Sequence, residues 1–181
     1  RGTAAGESYQ LVIPNLAIRQ VFIRCILDWF RKESAKDAPK LRAFCETFPK
    51  ADIQTMEKQF QTYLRKTISI RDTSTRKDRK ENFYHGILLG LLSFREDWRI
   101  ISNAESGEGY SDILVEIDDE EIGIVIKVKY AQGGDLEKAC TQALQQIQEM
   151  DYERRLRQDG FETIRKYGIA CYKKSCKIRM E

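Results

Sequence analysis

Two lysines interrupt an apolar segment in the second half of the chain, where Ile122–Lys129 consists mostly of isoleucine and valine. If this segment is a strand, Lys127 and Lys129 project from one face, because residues two apart in a strand point the same way. Charges in so apolar a strand need a partner or a chemical task. Asp112, in the preceding apolar segment, is the obvious partner. Asp112 with Lys129 also fits a plain cross-strand ion pair, so a structural and a chemical role are both open at this point.

The elements that must position these side chains follow from hydrophobic periodicity. In the first half, apolar residues recur at three- and four-residue intervals, which predicts helices after Pro14–Asn15, from about Pro39 to Phe48 and from Asp52 to Leu64. The polar run Ser69–Lys80 connects them to the second half. There the pattern predicts, in order, a helix at Glu81–Phe94, strands at Trp98–Asn103, Tyr110–Ile117 and Ile122–Lys129, a helix at Leu136–Arg157, and strands at Tyr167–Tyr172 and Lys177–Met180. This order predicts a mixed α/β unit in which helices cover a central sheet, preceded by a small helical subdomain.

Composition excludes several classes of protein. The 181 residues are 41% hydrophobic and 33% charged, which excludes a disordered, collagen-like or mucin-like chain. No apolar stretch approaches the roughly 20 residues of a membrane helix, so no membrane partner is expected. Five cysteines without a CxxC pair, and a single histidine, argue against a zinc site. The cysteines are typical of buried free thiols in a reducing, cytoplasmic compartment.

Charge is distributed unevenly, although the net charge is only +3. Residues 65–80 hold seven basic and two acidic side chains, and residues 165–181 hold six basic and one acidic. Between them, residues 103–123 hold eight acidic side chains and no basic one. Basic flanks around an acidic centre are suited to holding a phosphate backbone over a metal site, and they are equally compatible with solvated surfaces.

Several strings of residues carry a family resemblance: Leu11–Asn15, Glu81–Gly86, Ser102–Asp112, Val125–Ala131, Ala143–Ile147 with Tyr152, and Lys166–Lys174. From about Tyr9 onward, the chain resembles the PD-(D/E)XK nuclease superfamily, and within it a bacterial group in which such a domain follows an AAA-ATPase-like domain. The resemblance implies a restriction-endonuclease-like fold and a metal-dependent nuclease acting on DNA. It further implies that 1–14 is a remnant of the upstream part, 15–77 the helical subdomain and 78–181 the nuclease-like domain. The start at Arg1, without an initiator methionine, also predicts a segment of a longer chain.

The resemblance also implies a set of site residues. Glu81 matches the acid on a helix, Asp112 the aspartate on a strand, and Lys129 the lysine of the acid-x-lysine pair on the next strand. Gln146 matches a polar position beside such sites, and Tyr152 is a weaker candidate. Asp112 and Glu81 would hold Mg²⁺ or Mn²⁺, which binds oxygen ligands and stabilises negative charge on a phosphodiester, while the lysine orients water or steadies that charge.

One position departs from the family pattern. The acid expected two residues before Lys129 is Lys127 in this chain, which exchanges a ligand for a cation. A unit charge about 4 Å from a divalent ion costs on the order of 8 kcal/mol at an effective dielectric constant of 20. This predicts either an inactive nuclease or a replacement acid, for which Glu105, Glu108 and Glu116 are the candidates.

Alternatives stay open for the other polar residues. With Asp78 three residues before it, Glu81 fits a helix-capping arrangement, and His85 one turn later fits a structural role. Gly107 and Gly109 resemble a fragment of a phosphate loop, but no GK[ST] motif follows. Two functions are therefore expected: a nuclease, or a catalytically inactive module that binds nucleic acid through its lysines. The expected partners are nucleic acid, most simply DNA, and the upstream AAA-ATPase-like domain.

Overall fold

A computed structural model describes residues 38–68, 77–102, 112–149 and 152–181, with the backbone alone at 77–79, 112, 152 and 155. Several predictions lie outside these residues: the helix after Pro14–Asn15, Cys25, Glu105, Glu108, and the glycines of the loop before Asp112. The same holds for the side chain of Tyr152.

Five helices are described: α1 (Ala38–Glu46), α2 (Ile53–Thr67), α3 (Lys77–Leu92), α4 (Leu136–Glu149) and α5 (Tyr152–Gln158). Helix α2 begins where the Asp52 carboxylate accepts a hydrogen bond from the Thr55 N–H at 3.1 Å. Its buried residues Met56, Phe60 and Leu64 recur every four positions. The first-half periodicity therefore predicted α1 and α2 correctly.

The sheet has five strands in the order β1 to β5: β1 (Arg99–Ser102), β2 (Asp112–Ile117), β3 (Ile122–Tyr130), β4 (Thr163–Tyr172) and β5 (Ser175–Met180). Strands β3 and β4 pair in parallel, and every other neighbouring pair is antiparallel. The parallel pair needs a crossover, which α4 and α5 supply. The predicted order of elements and the mixed α/β class are confirmed.

Both faces of the sheet are covered by helices. One face packs the even-numbered residues of β3, such as Ile124 and Ile126, against Phe48, Phe60 and Leu88 of the α1–α3 region. The other face packs Leu114 and Val125 against α4, α5 and the loop before β4 through Ile147, Leu156 and Phe161. Because side chains alternate along a strand, Lys127 and Lys129 belong to the face that α4 covers. The sequence predicted this separation of the lysines from the isoleucines.

The largest differences from the predicted boundaries are at three elements. Helix α3 begins at Lys77 rather than Glu81, because three of the four residues before Glu81 are lysine or arginine, which favour a helix although they form no apolar stripe. Strand β4 begins at Thr163 rather than Tyr167, since its first residues pair in parallel with the start of β3. The region predicted as one helix from Leu136 to Arg157 is described as α4 and α5, with residues 150 and 151 between them not described.

A charged network joins α1 to the segment before β1. The Arg95 side chain is 9% exposed, forms an ion pair with Glu46, donates its Nε–H to Asp97 at 2.8 Å and lies 4.5 Å over the Trp98 ring. Hydrogen bonding to Arg95 lowers the pKa of Asp97 to about 2. Because the folded-state pKa is depressed, this contribution to stability is present above the unfolded value near 4 and is lost as the pH falls toward 2.

We expect Arg95→Met to lower the free energy of unfolding by about 1–3 kcal/mol at pH 7, since it removes a buried, charge-assisted network. It should also reduce the loss of stability between pH 4 and pH 2. Urea unfolding at both pH values measures this. Lys50→Met is the matched control, because Lys50 pairs with the same Glu46 at 3.6 Å but is 70% exposed and should cost at most about 0.5 kcal/mol. Equal losses in the two variants would contradict the expectation.

The four described cysteines, Cys45, Cys140, Cys171 and Cys176, are buried free thiols, as the sequence predicted. Burial raises the pKa of Cys45 and of Cys176 to about 12 and that of Cys140 to about 11, which keeps these thiols protonated and unreactive. None of the described helices is long and apolar enough to cross a membrane.

Candidate functional site

The register of β2 and β3 places Asp112 directly opposite Lys127. Residues opposite each other in an antiparallel pair share a face, with Cβ atoms about 4.5–5.5 Å apart. Lys129 lies on β3, two residues beyond Lys127, where the pairing of β3 with β2 has ended. The expectation of a plain Asp112–Lys129 cross-strand pair is therefore wrong in its register, because the position across the ladder from Asp112 is Lys127.

Lys127 is buried on that face, with only 4% of its surface exposed. On its other side, the parallel pairing with β4 places Gly168 beside it. A Cβ atom at Gly168 would lie 2.6 Å from the Cys140 carbonyl oxygen of α4, so only glycine lets this helix approach the sheet so closely. The glycine thus brings α4 down over the strand that carries Lys127.

Glu81 and Lys129 meet where α3 passes the end of β3. The Lys129 Nζ atom lies 3.6 Å from Glu81 Oε2, and the Tyr130 backbone N–H donates to Glu81 Oε1 at 3.3 Å. The Glu81 side chain is 29% exposed and that of Lys129 17%, so both reach solvent. Because α3 starts at Lys77, Glu81 lies in the second turn and Asp78 is already helical. The capping interpretation of Glu81 is therefore wrong.

His85 and Gln146 lie on the helices that flank this region. His85 Nε2 is 2.9 Å from the Ser102 hydroxyl, a hydrogen bond that ties α3 to β1. Gln146 lies on α4 and is partly buried, and its Oε1 atom has no hydrogen-bond partner in the described part of the chain. The structure thus places one polar helix residue on each side of the sheet.

Glu116, one of the three candidate replacement acids, is paired with Arg99 of the neighbouring strand β1. Its side chain is 3% exposed, and its Oε2 accepts a hydrogen bond from Arg99 Nη1 at 3.0 Å across β1 and β2. It also lies four residues along the strand from Asp112, a separation of about 13 Å. One ion cannot bind both carboxylates at that distance, so the suggestion that Glu116 replaces the missing acid is wrong.

The described residues do not fit a divalent cation. Mg²⁺ requires oxygen ligands in near-ideal octahedral geometry, but the position opposite Asp112 carries an ammonium group. The carboxylate of Glu81 is engaged by Lys129 and by the Tyr130 amide. Among the side chains that the structure describes, which do not include that of Asp112, no three His, Cys, Asp or Glu come together in a group that could hold a metal ion.

Sequence reasoning missed two features of this region. Gly168 lies inside a predicted strand, and an isolated glycine in a strand is a signal of close backbone approach. The second feature is a group of tyrosines with two lysines over their rings: Tyr84, Tyr130, Tyr172, Lys80 and Lys173. No spacing rule would have found this group, because its members come from three separate elements and one turn.

A comparison with known protein families gives a match over the part of the chain that holds the sheet and the candidate site. A family model described as the PD-(D/E)XK nuclease superfamily matches residues 79–181, which is more than half of the chain. A search of curated proteins and a search of solved structures found no match. The mixed five-stranded sheet flanked by helices is consistent with the restriction-endonuclease-like fold that the resemblance implies. The chain belongs to the PD-(D/E)XK nuclease superfamily.

Proposed function

We propose that this chain is a nucleic-acid-binding domain of the nuclease type, built to recognise DNA phosphodiesters, in which Lys127 prevents metal-dependent cleavage. The observation that carries the proposal is the position of Lys127, 4% exposed and directly opposite Asp112. In the family pattern an acid stands there, and Asp112 and Glu81 would supply the other metal ligands. Replacing a ligand by a buried cation opposes binding of a second cation beside it.

The lysines give this site a different chemical character. Lys127 and Lys129 lie on one face of β3, and Lys129 reaches solvent beside Glu81. An ammonium group binds a phosphate oxygen through a charge-assisted hydrogen bond and needs no metal to do so. The chain's own residues can therefore bind and orient a phosphate at the end of β3, with Lys129 as the contacting group, and the resemblance adds Gln146 of α4 as a polar residue of the site.

A second candidate is an active nuclease that uses Mg²⁺ or Mn²⁺. The contact between Glu81 and Lys129 favours it, because the helix acid and the motif lysine of the family pattern lie together. Under this candidate, Glu105 or Glu108 replaces the acid. Reversion of Lys127 to an acid separates the two candidates, since only the first requires reversion for cleavage.

We also propose the wider organisation that the resemblance implies. Residues 1–14 belong to a linker from an upstream AAA-ATPase-like domain, 15–77 to a helical subdomain and 78–181 to the nuclease-type domain, in a cytoplasmic protein. The strings Leu11–Asn15 and Glu81–Gly86 support this proposal through their resemblance to that bacterial group. The chain alone should then show no ATPase activity, because the proposed ATPase-like domain lies upstream of it.

Binding of DNA without metal tests the first candidate. In EDTA, we expect fluorescence anisotropy to show binding of a labelled DNA duplex that weakens steeply as KCl rises, since phosphate contacts release counterions. Lys129→Gln should reduce the salt slope by about 1. Lys58→Gln, at an exposed lysine on α2, is the control and should leave the slope unchanged. If the chain binds neither DNA nor RNA at low salt, the proposal is wrong.

A further inference from the structure

Two lysines are held over tyrosine rings beside Glu81 and Lys129. Lys80, the residue before Glu81, places its Nζ 4.6 Å from the centre of the Tyr130 ring, and Tyr130 follows Lys129. Lys173 places its Nζ 5.2 Å from the centre of the Tyr172 ring. The two rings are themselves in contact, with centroids 5.7 Å apart. The two ammonium groups therefore belong to one continuous surface, which borders the Glu81–Lys129 contact.

The rings are fixed from beneath. Tyr84 is fully buried and stacks on Tyr130, with centroids 6.2 Å apart and an angle of 19° between the planes. The rings of Tyr130 and Tyr172 stay partly exposed. A tyrosine face attracts an ammonium group, so each lysine is held near its ring without losing its charge. Holding a flexible lysine in place before binding reduces the entropy that binding costs.

The turn that carries Lys173 has a backbone that lysine rarely adopts. Its φ of 53° lies in the left-handed region, where glycine, asparagine or aspartate is the usual residue. The Tyr84 hydroxyl donates a hydrogen bond of 2.7 Å to the Lys173 carbonyl oxygen and holds the turn in this form. The backbone that carries the Lys173 side chain is thus fixed by the Tyr84 hydrogen bond.

No carboxylate whose side chain the structure describes forms an ion pair with Lys80 or Lys173, whereas Lys129, Lys166 and Lys177 each have such a partner. The charge of both lysines is thus available to an anion. One ammonium group would be enough to bind a single phosphate. Two ammonium groups spread over two adjoining rings fit an anion that extends along the surface, as a chain of phosphates does.

We propose that Lys80 and Lys173 form a phosphate clamp that grips the backbone of a nucleic-acid strand and places it beside Glu81 and Lys129. The inference rests on the proposed function and names the surface that the strand follows. Contact is with phosphates rather than base edges, so binding by this surface is independent of sequence.

Salt-dependent binding of labelled DNA in EDTA tests the clamp. Lys80→Gln and Lys173→Gln should each lower the salt slope by about 1, and the double variant by about 2. Tyr172→Leu keeps the charge but removes the ring, so it should weaken binding about two- to fivefold with the slope unchanged. Tyr172→Phe keeps the ring and should bind like the unaltered chain. Melting temperatures of all variants show which are folded.

The outcomes distinguish a failure of the clamp from a failure of the proposed function on which it rests. Absence of binding by the unaltered chain would overturn the proposed function, and the clamp with it. Binding with the same slope in the unaltered chain and in the folded Lys80→Gln and Lys173→Gln variants would overturn the clamp alone. The same would follow if Lys58→Gln lowered the slope as much as they do. Loss of about one unit of slope at each of the two lysines, with no loss at Lys58, supports it.

Discussion

Gly168→Ala is expected to destabilise the domain by about 2–4 kcal/mol, the largest effect among glycine-to-alanine changes in the described part of the chain. The added Cβ would lie 2.6 Å from the Cys140 backbone oxygen and 3.0 Å from Leu144 Cγ. A backbone atom in a helix cannot rotate away as a side chain can, so α4 must move off the sheet. Urea unfolding measures the loss of stability.

Gly86→Ala is the matched control for this substitution. Gly86 is exposed on α3, and a Cβ there has no atom within 4 Å. Alanine in an exposed helix interior should raise the free energy of unfolding by about 0.5–1 kcal/mol. The same added methyl group thus has opposite effects at the two sites. A Gly168→Ala variant that unfolds like the unaltered chain would show that α4 does not depend on close approach at this strand.

Lys127→Glu is expected to create metal-dependent DNA cleavage, at least about a hundredfold above the unaltered chain in Mg²⁺ or Mn²⁺. The substitution removes a cation and adds a carboxylate opposite Asp112. Without metal, two like charges across the ladder should lower stability, and the metal should restore it. Cleavage of a labelled DNA duplex, followed with and without EDTA, measures the gain.

Two further variants assign the effect to the carboxylate. Lys127→Met removes the charge without adding an oxygen ligand, so it should not gain cleavage. Lys58→Glu makes the same change of charge at an exposed site on α2 and should behave like the unaltered chain. Cleavage that is already strong in the unaltered chain would favour the active nuclease of the second candidate, with an acid outside Glu116 in the missing role.

Strong local patterns made much of the fold predictable. The apolar stripe of α2 and the isoleucine-rich β3 each carry a clear period, and both elements lie where the sequence predicted them. Charged segments were harder to predict. Lys77–Lys80 begins a helix, but it carries no apolar stripe that would indicate one. The first residues of β4 are in a strand because β3 lies beside them, which no local pattern records.

For the site, the sequence predicted the strand face of the two lysines better than it predicted the contacts between residues. The shared face of Lys127 and Lys129 follows from the two-residue period of a strand, and their position in the sheet agrees with it. The register does not follow, since a shift of two residues keeps the same face. In the sheet, Asp112 is paired with Lys127 and not with Lys129. Pairing of Glu116 with Arg99 depends on β1, whose register no motif fixes.

Thermal unfolding in the presence of Mg²⁺ tests the central claim most directly, because a ligand that binds only the folded state must raise its stability. Under the proposed function, the unaltered chain should melt at the same temperature in Mg²⁺ and in EDTA, since the buried ammonium group of Lys127 opposes binding of a second cation beside it. Lys127→Glu should melt at a higher temperature in Mg²⁺, with about 2.7 kcal/mol of added stability when the metal is at a hundred times its dissociation constant. A Mg²⁺-dependent rise of the same size in the unaltered chain would contradict the account.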